Sequence, residues 1–572
     1  MATGFSHEEE LELEQRELAE LYNAELIPGT EIMRDLPDVR FIRGSNGQVL
    51  VPQPHNHPND PLNWTIFWKL ITVVGVMLVT MISAFGPLSI SPQVDYYMEE
   101  WDRSLADVLQ FSGVCILVLG FSNFLWIPIA TRFGRRPALL LSTLLGIGAN
   151  IWRARATSYQ SFIGASAVHG VAAGPSETFG PLMIADVIFL HDRGRYMGIY
   201  LWGYMGMLMI GPTVAGRMTE LYGWRSFWWL NTALYAFLLV FLMIVPETKW
   251  NRNAPDDFYT GGEKASGPAS SDEQRSQNPS NNKTEVDVMD APNKEDFPSP
   301  VDESARSADP AAIEHHDTYL GKGKPCRDQF SFYPKVARGY DEDIKRLILV
   351  PFELFAYPIV EWAAFVYSFS ASSFLVVNLT AAQVFSAEPY NMTAGQIGYL
   401  NFGTWVGACF GLVTSGPLSD WLSMRATTRN NGIREPEMRL PTIIPYTLLL
   451  IVGSTIVAVG YENQWRWEVI VIVGYAFLGA QTASLPTIAL TYAIDSYKPA
   501  AGDILLNVTI NKNLWGYGVS KFLTSWILSS GFVPPIITIL ALNIAVMLPG
   551  IPLYFYGKKV RKWSKNSHLH KM

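Results

Sequence analysis

Four ionisable side chains lie within stretches of sequence that are otherwise apolar. Glu177 occurs in AGPSETFGPL, Glu361 in AYPIVEWAAF, His169 in GASAVHG and Lys512 in NVTINKNLWGYG. A charged group is costly in an apolar environment, so such residues are candidates for exchanging protons or for binding a charged solute. These four residues are therefore the first candidates for chemistry in this chain.

The two acids and the histidine each have two interpretations. Glu177 and Glu361 could exchange protons with a cavity or hold a cationic solute, or they could be structural acids hydrogen-bonded to a neighbouring helix. His169 could change its charge near neutral pH, although a lone histidine among small residues is more often packed and hydrogen-bonded. The residue types indicate proton or cation chemistry and leave both roles open.

The lysine lies beside two amides. Asn507 and Asn511 are four residues apart and should share one face of a helix. Lys512 could be the counter-ion of one of the glutamates, so that proton exchange by the acid would be coupled to breaking the pair. Alternatively, its long stem could carry the ammonium to the inner surface of a membrane.

The sequence around these residues is typical of a membrane protein. Of the 572 residues, 49% are hydrophobic and 16% are charged, whereas ordinary soluble domains have about a quarter charged residues. Apolar runs recur at about the length of 20 residues that a helix needs to cross a bilayer. The predicted spans, about twelve in number, lie near residues 68–90, 107–130, 137–156, 161–187, 196–217, 225–246, 355–380, 394–420, 440–460, 468–493, 503–530 and 534–557.

The spans divide into two sets of six, which predicts an all-α membrane protein made of two six-helix bundles. The bundles are residues 66–247 and 346–557, separated by a polar segment, 248–345, that is rich in Ser, Asn, Pro and Gly and is predicted to be a disordered cytosolic loop. Residues 1–65 form an acidic cytosolic segment without the apolar region of a signal peptide. Residues 558–572 form a basic tail, and DEDIKRLILVPFELFAYP predicts a short surface helix before the seventh span.

Arginines are concentrated in the gap between the second and third spans. Arg132, Arg135 and Arg136 lie in RFGRR, and because Lys and Arg mark cytosolic loops, this gap and both termini are predicted to be inside. The segment SGPLSDWLSMRA repeats the spacing in the other half, which indicates an internal repeat. The matching positions are Pro128, Thr131 and Arg136 in one half and Pro417, Asp420 and Arg425 in the other.

With these features the chain resembles the major facilitator superfamily. The arrangement of six plus six spans around a long loop, together with RFGRR, is similar to the family signature G-x-x-x-D-R-x-G-R-R. NDPLNW, HDRG and GPTVAG are similar to fungal members of its drug:proton antiporter branch, in particular the histidinol and polyamine permease-like group. The resemblance implies two bundles that rock about a cavity lined by the first, fourth, seventh and tenth spans.

Some positions differ from the family pattern. Thr131 stands at the loop aspartate, Ser166 at the arginine of R-x-x-x-G in the fourth span, and Met207 and Ala215 at two glycines of the fifth-span antiporter motif. Export is therefore indicated less directly than the fold is.

The rocking motion that the resemblance implies needs ionic contacts at the inner face that can form and break. The predicted contacts, formed when the inner side is closed, join Arg132 or Arg136 to Asp186, and Arg425 to Asp495. The alternative is that the loop arginines only set the orientation in the membrane.

The sequence therefore predicts a secondary transporter that works by alternating access. No G-x-x-x-x-G-K-[ST] or H-E-x-x-H motif occurs, and no cofactor, metal site, enzymatic activity or nucleic-acid partner is predicted. The expected partners are a small solute, protons and the lipid bilayer. The chain is expected to function as a monomer, and its expected location is the plasma membrane. Asn391, in YNMTA, is a predicted glycosylation site in an outer loop.

Two transport functions fit this pattern. The first is efflux of a drug-like compound or secondary metabolite in exchange for protons, and the alternative is proton-driven uptake of an organic cation such as a polyamine. A non-transporting nutrient sensor on the same fold would be expected to carry a long signalling tail.

Overall fold

The computed structural model describes residues 31–32, 52, 54–55, 57–250, 319–332, 344–430, 433–497 and 500–564. In these residues the regular structure is almost entirely helical, as the apolar runs predict. The larger apolar core extends through both halves of the molecule, and a second core fills the inner part of the N-terminal half.

The helices follow the order of the predicted spans. The described part of the N-terminal half contains α1 (Ile66–Phe85), α2 (Val94–Trp101), α3 (Leu105–Phe133), α4 (Arg135–Arg155), α5 (Tyr159–Ala173), α6 (Pro175–Val187), α7 (Leu190–Tyr222) and α8 (Trp224–Leu242). The described part of the C-terminal half contains α9 (Ile344–Glu353), α10 (Pro358–Phe385), α11 (Ala394–Arg429), α12 (Ile443–Glu462), α13 (Ala476–Ser496), α14 (Ala501–Ser530), α15 (Val533–Met547) and α16 (Gly550–Trp563).

Shorter elements connect these helices. A π-helical segment, Val469–Tyr475, leads directly into α13. β1 (Glu31–Ile32) pairs antiparallel with β2 (Ile433–Arg434). The 3-10 helices are Pro61–Asn63, Ser91–Gln93, Arg327–Phe330, Leu354–Ala356 and Pro436–Thr442.

Each predicted span falls on helical structure, and two spans are split. The fourth consists of α5 and α6, which meet at Gly174, and the twelfth consists of α15 and α16. By length and hydropathy, eight helical stretches in the described residues could cross a membrane. The third, fourth, fifth and eleventh spans do not meet this criterion: the fourth is split, the third and eleventh carry charged and amide side chains, and the fifth contains several Gly and Tyr residues.

Parts of the segment that is predicted to be a disordered loop have a defined structure. Residues 319–332 pack against the N-terminal half, where the buried Gln329 donates hydrogen bonds to the carbonyls of Asn59, at 3.2 Å, and Glu247, at 3.3 Å. The short helix predicted before the seventh span is present as α9, and its Phe352 stacks on Phe124 of α3 with ring centroids 5.0 Å apart. The rest of the predicted loop, most of the N-terminal segment and the end of the basic tail lie outside the described residues.

The arginines of the first half bind within that half. We call the face that holds them the inner face, the side predicted to be cytosolic. Asp186 is in contact with Arg135 and also accepts a hydrogen bond from Thr248 at 3.0 Å. The predicted partners of Asp186, Arg132 and Arg136, are therefore wrong. Helix α3 ends at Gly134, whose φ is 104°, so Arg135 and Arg136 begin a new helix and point about 100° apart around it.

Arg136 holds the end of the sixth span instead. Its buried guanidinium donates to the carbonyl oxygens of Val245, at 2.8 Å, and of Met243 and Ser331, both at 3.1 Å. A cation is favourable beside unpaired carbonyls at the end of a helix. The Glu247 carboxylate in turn accepts the backbone N–H groups of Arg135 and Arg136, at 3.1 and 2.9 Å, at the start of α4.

In the C-terminal half, the ionic contacts at the inner face also involve residues other than the predicted ones. Arg439 lies 3.3 Å from Asp420 and 3.1 Å from Asp495, so the predicted pairing of Arg425 with Asp495 is wrong. Arg561 of α16 contacts Glu437, before α12, at 2.8 Å. These ionic contacts connect helices of the same half, and a role in gating between halves stays a prediction.

Replacing Arg136 with alanine is expected to lower the free energy of unfolding by about 2–4 kcal/mol, because three buried carbonyls lose a charged donor. The change is measured as the loss of thermal stability of the purified chain in detergent. Arg132→Ala is the matched control, since this exposed arginine should tolerate substitution within about 0.5 kcal/mol. Equal stability of the two variants would contradict this interpretation of Arg136.

Candidate functional site

Glu177 and Lys512 form an ion pair that joins the two halves. The Lys512 Nζ atom lies 2.5 Å from Glu177 Oε1, and the side chains are 14% and 12% exposed. Tyr204 donates to Oε1 at 3.2 Å, and Asn513 donates to Oε2 at 3.3 Å. Of the two interpretations of Lys512, the structure therefore supports the counter-ion and not the extended side chain at the surface.

A break in the fourth span places the carboxylate. Helix α5 ends at Ala173, and Pro175 at the first position of α6 suits the start of a new helix. Glu177 then lies in the first turn of α6, where the helix dipole favours a negative charge. Gly174 is required at the break, because a methyl group there would come within 3.0 Å of the Trp126 ring and closer still to Ser122.

The pair lies at the wall of a cavity of about 120 Å³ between the halves. The lining comes from the first, fourth, seventh and tenth spans, as the resemblance implies, and also from the second, fifth and eleventh. Hydroxyl-bearing residues of the lining are Ser83, Ser176, Tyr204, Tyr367, Ser368, Ser372 and Thr482. Apolar residues of the lining include Ile116, Leu119, Met205, Leu208, Phe374 and Leu375.

Glu361 lies outside this cavity, on the same helix face as part of its lining. It precedes Ser368 by seven residues on α10, which is two turns, or about 10 Å, toward the inner face. Its Oε2 atom is buried without a hydrogen-bond partner among the described residues, while its carboxylate interacts with Asn511. Asn511 donates to Asn507 Oδ1 at 3.2 Å, which confirms that these amides share a helix face.

His169 is placed away from the cavity, inside the N-terminal half. It is fully buried, and its ring meets the ring of Tyr235 edge-on, with centroids 5.8 Å apart. Arg153 lies near it, also fully buried, with its guanidinium 4.5 Å from the Trp228 ring centroid. The sequence carries no signal for this buried arginine, because it lies near the end of the third span, where arginines are usually solvated.

On the outer side the halves are in direct contact. Glu220 of α7 accepts the backbone N–H of Gly395, in the first turn of α11, at 2.7 Å. Deeper along the same two helices, Thr213 donates to the carbonyl oxygen of Gly398 at 2.8 Å. Ser91 also donates to the carbonyl oxygen of Asn378 at 2.6 Å. These contacts cover the outer end of the cavity.

Sequence comparison identifies the family. The profile described as Major Facilitator Superfamily matches residues 76–503, more than half of the chain. The chain belongs to the major facilitator superfamily. The predicted membership and the predicted fold class are confirmed, and this is a multi-pass membrane protein of a transporter family, not an enzyme.

Curated relatives are similar over most of their length. An uncharacterised MFS-type transporter of Schizosaccharomyces pombe is 26% identical over 91% of this chain and 89% of its own length. Protein HOL1 of Saccharomyces cerevisiae is 24% identical, with 92% of both chains covered. The MFS antiporter QDR3 of Candida albicans is 22% identical over 86% of this chain and 78% of its own length.

Solved structures show the same fold. The proton:xylose symporter XylE bound to 6-bromo-6-deoxy-D-glucose superposes with a TM-score of 0.55 at 14% identity, covering 87% of this chain and 97% of that one. A partially occluded, inward-open form of XylE from E. coli gives 0.53 at 12% identity, covering 84% and 98%. At these identities the likeness concerns the fold alone.

Asn391 lies in the loop between α10 and α11. It is exposed and has a φ of 47°. An exposed asparagine in a loop is accessible to a glycosylating enzyme, and its modification stays a prediction.

Proposed function

We propose that this chain exports a small organic solute in exchange for protons, and that Glu177 is the group that exchanges them. The observation that supports this proposal best is the buried Glu177–Lys512 pair, which bridges the halves at the wall of the cavity. In alternating access the cavity faces one side of the membrane at a time, so a link between the halves there is well placed to respond to a proton or a solute.

Protonation would break this link. A proton that reaches Glu177 from the outer side neutralises the carboxylate and removes its attraction for the Lys512 ammonium. A buried hydrogen bond between charged groups contributes about 1.5–3 kcal/mol. A free energy of this size shifts a two-state equilibrium by roughly one to two powers of ten. Release of the proton to the inner side restores the pair and returns the transporter to its starting state.

The cavity suits a solute with an apolar body and a few polar groups. Its walls combine aliphatic side chains with scattered hydroxyl groups, the usual composition of a ligand pocket. Drug-sized ligands occupy pockets of about 300–1,000 Å³, so the present cavity of about 120 Å³ must widen to admit one. Separation of the halves after the ion pair breaks would provide that space.

Export is favoured by the partial glycine motif of the fifth span and by the similarity to a relative named as an antiporter, QDR3. We also propose the plasma membrane as the location and a monomer as the functional unit.

A second candidate function is proton-driven uptake of an organic cation. The observation that favours it is Glu361, whose carboxylate keeps a buried oxygen without a hydrogen-bond partner among the described residues. This oxygen, with the nearby amide of Asn511, would suit an ammonium group of a solute. Glu177 is already neutralised by Lys512, so Glu361 is the better acid for this role.

The test is a transport assay in membrane vesicles with an imposed pH gradient and a panel of organic cations and neutral drugs. For an exporter, inside-out vesicles with an acidic lumen should accumulate solute, because protons leave as the solute enters. Glu177→Gln should abolish this accumulation, since an amide cannot exchange the proton. Glu99→Gln, which changes an exposed acid, is the matched control.

The orientation of the vesicles that accumulate solute distinguishes export from uptake. Accumulation only in right-side-out vesicles with acid outside, lost in Glu361→Gln, would favour uptake over export. Full gradient-driven transport by Glu177→Gln would contradict the proposed proton site. If no panel member moved with the gradient in either orientation, the sensor interpretation would gain support over transport.

A further inference from the structure

Two arginines at the inner end of α11 are exposed and have no carboxylate partner among the described residues. Arg425 and Arg429 are four residues apart, so they lie on the same face of the helix. The guanidinium of Arg425 lies 5.4 Å from the ring centroid of Trp421, one turn earlier.

The acidic residues of the neighbouring helix ends already bind other cations. Asp420 and Asp495 contact Arg439, at 3.3 and 3.1 Å. Glu437 and Glu435 contact Arg561, at 2.8 and 2.5 Å. The two exposed arginines therefore carry positive charge that these carboxylates do not neutralise.

The arginines border a groove of about 570 Å³ between α11, the start of the ninth span and α16. Its other walls include Trp421, Met438 and Tyr554. The Trp421 and Tyr554 residues are 55% and 43% exposed. A groove with cationic and apolar walls is complementary to a molecule that has both an anionic and an apolar part.

The groove lies at the depth of lipid headgroups. Helix α11 has 36 residues, whereas about 20 are enough to cross the hydrocarbon core, so its inner end extends into the headgroup layer. Exposed tryptophan and tyrosine are typical of this layer. The inner face is also the side predicted to be cytosolic, where anionic lipids are concentrated.

In the described residues, the matching position of the other half of the internal repeat is not part of such a groove. Arg136, which matches Arg425, is buried because Gly134 ends α3 and turns the chain. SDWLSMRATTRNN has no glycine, so α11 continues through Arg425 to Arg429 and leaves both exposed. The difference between the halves follows from a single helix terminator.

We propose that this groove binds an anionic phospholipid of the inner leaflet, with Arg425 and Arg429 holding the phosphate. Guanidinium groups form paired hydrogen bonds with phosphate oxygens, and two arginines one turn apart can hold one headgroup. The lipid chains would then lie against the exposed apolar side chains of α11 and α16, among them Met424 and Phe555.

The test is native mass spectrometry of the full chain in neutral detergent, with phosphatidylserine and phosphatidylcholine of matched chains as probes. The wild type should retain phosphatidylserine in preference to phosphatidylcholine. The double variant Arg425→Gln/Arg429→Gln should bind it about tenfold more weakly. Arg132→Gln removes an exposed arginine of the same face in the other half and should keep wild-type binding.

Two outcomes would overturn the proposal. One is equal retention of phosphatidylserine by the wild type and the double variant while both keep the same thermal stability. The other is displacement of the lipid by inorganic phosphate alone, which would make the groove a site for free phosphate. Partial retention by Arg425→Lys/Arg429→Lys would support paired hydrogen bonds over charge alone.

Discussion

Lys512→Met is expected to lower the free energy of unfolding by about 3–5 kcal/mol, because it leaves the Glu177 carboxylate buried without its cation. The thermal unfolding of the purified chain in detergent, followed by tryptophan fluorescence, measures the effect. Lys521→Met is the matched control, since Lys521 lies on the same helix with an exposed side chain.

The double variant separates the loss of a pair from the isolation of a charge. Glu177→Leu/Lys512→Met removes both charges, and replacing a buried pair by apolar groups is often neutral for stability. We expect it to recover most of the lost stability and to remain inactive in transport. If Lys512→Met were no less stable than Lys521→Met, the pair would contribute nothing to the fold.

Gly216→Val is expected to abolish transport by keeping the outer side of the transporter open. A methyl group at Gly216 would lie 2.8 Å from the carbonyl carbon of Ala394 and 3.2 Å from the backbone nitrogen of Gly395. The clash is with backbone, which cannot move aside as a flexible side chain can. Overpacking of this kind costs about 1–3 kcal/mol and falls only on the state in which the outer side is closed.

Transport and cavity access are measured together for this prediction. Ala371→Cys places a thiol in the cavity lining, and a membrane-impermeant thiol reagent applied from outside should modify it faster in the Gly216→Val background. Gly198→Val is the control, since Gly198 is on the same helix with no neighbouring atom within 4 Å. Unchanged labelling and unchanged transport would show that closing this contact is not part of the cycle.

The candidate site was predictable in part. Glu177 and Lys512 stand out because charges are rare in apolar runs, but the residues are 335 positions apart and nothing local joins them. The amides Asn507 and Asn511 could be placed on one face, since helical periodicity is local information. The partner of Asp186 could not, because neighbouring arginines point in different directions once the helix start at Gly134 is known.

The sequence alone was sufficient for the all-α membrane fold class and for the family, because these depend on the lengths of apolar runs and on short motifs. The bounds of the two halves stay a prediction. Which charges meet was decided only by tertiary packing, since a contact between Glu177 and Lys512 requires helices of different halves to come together. The burial of Arg136 depends on tertiary packing as well, because its guanidinium donates to carbonyl oxygens at the end of the sixth span. Arg136 is buried and Arg425 is exposed, because one helix ends at a glycine and the other continues.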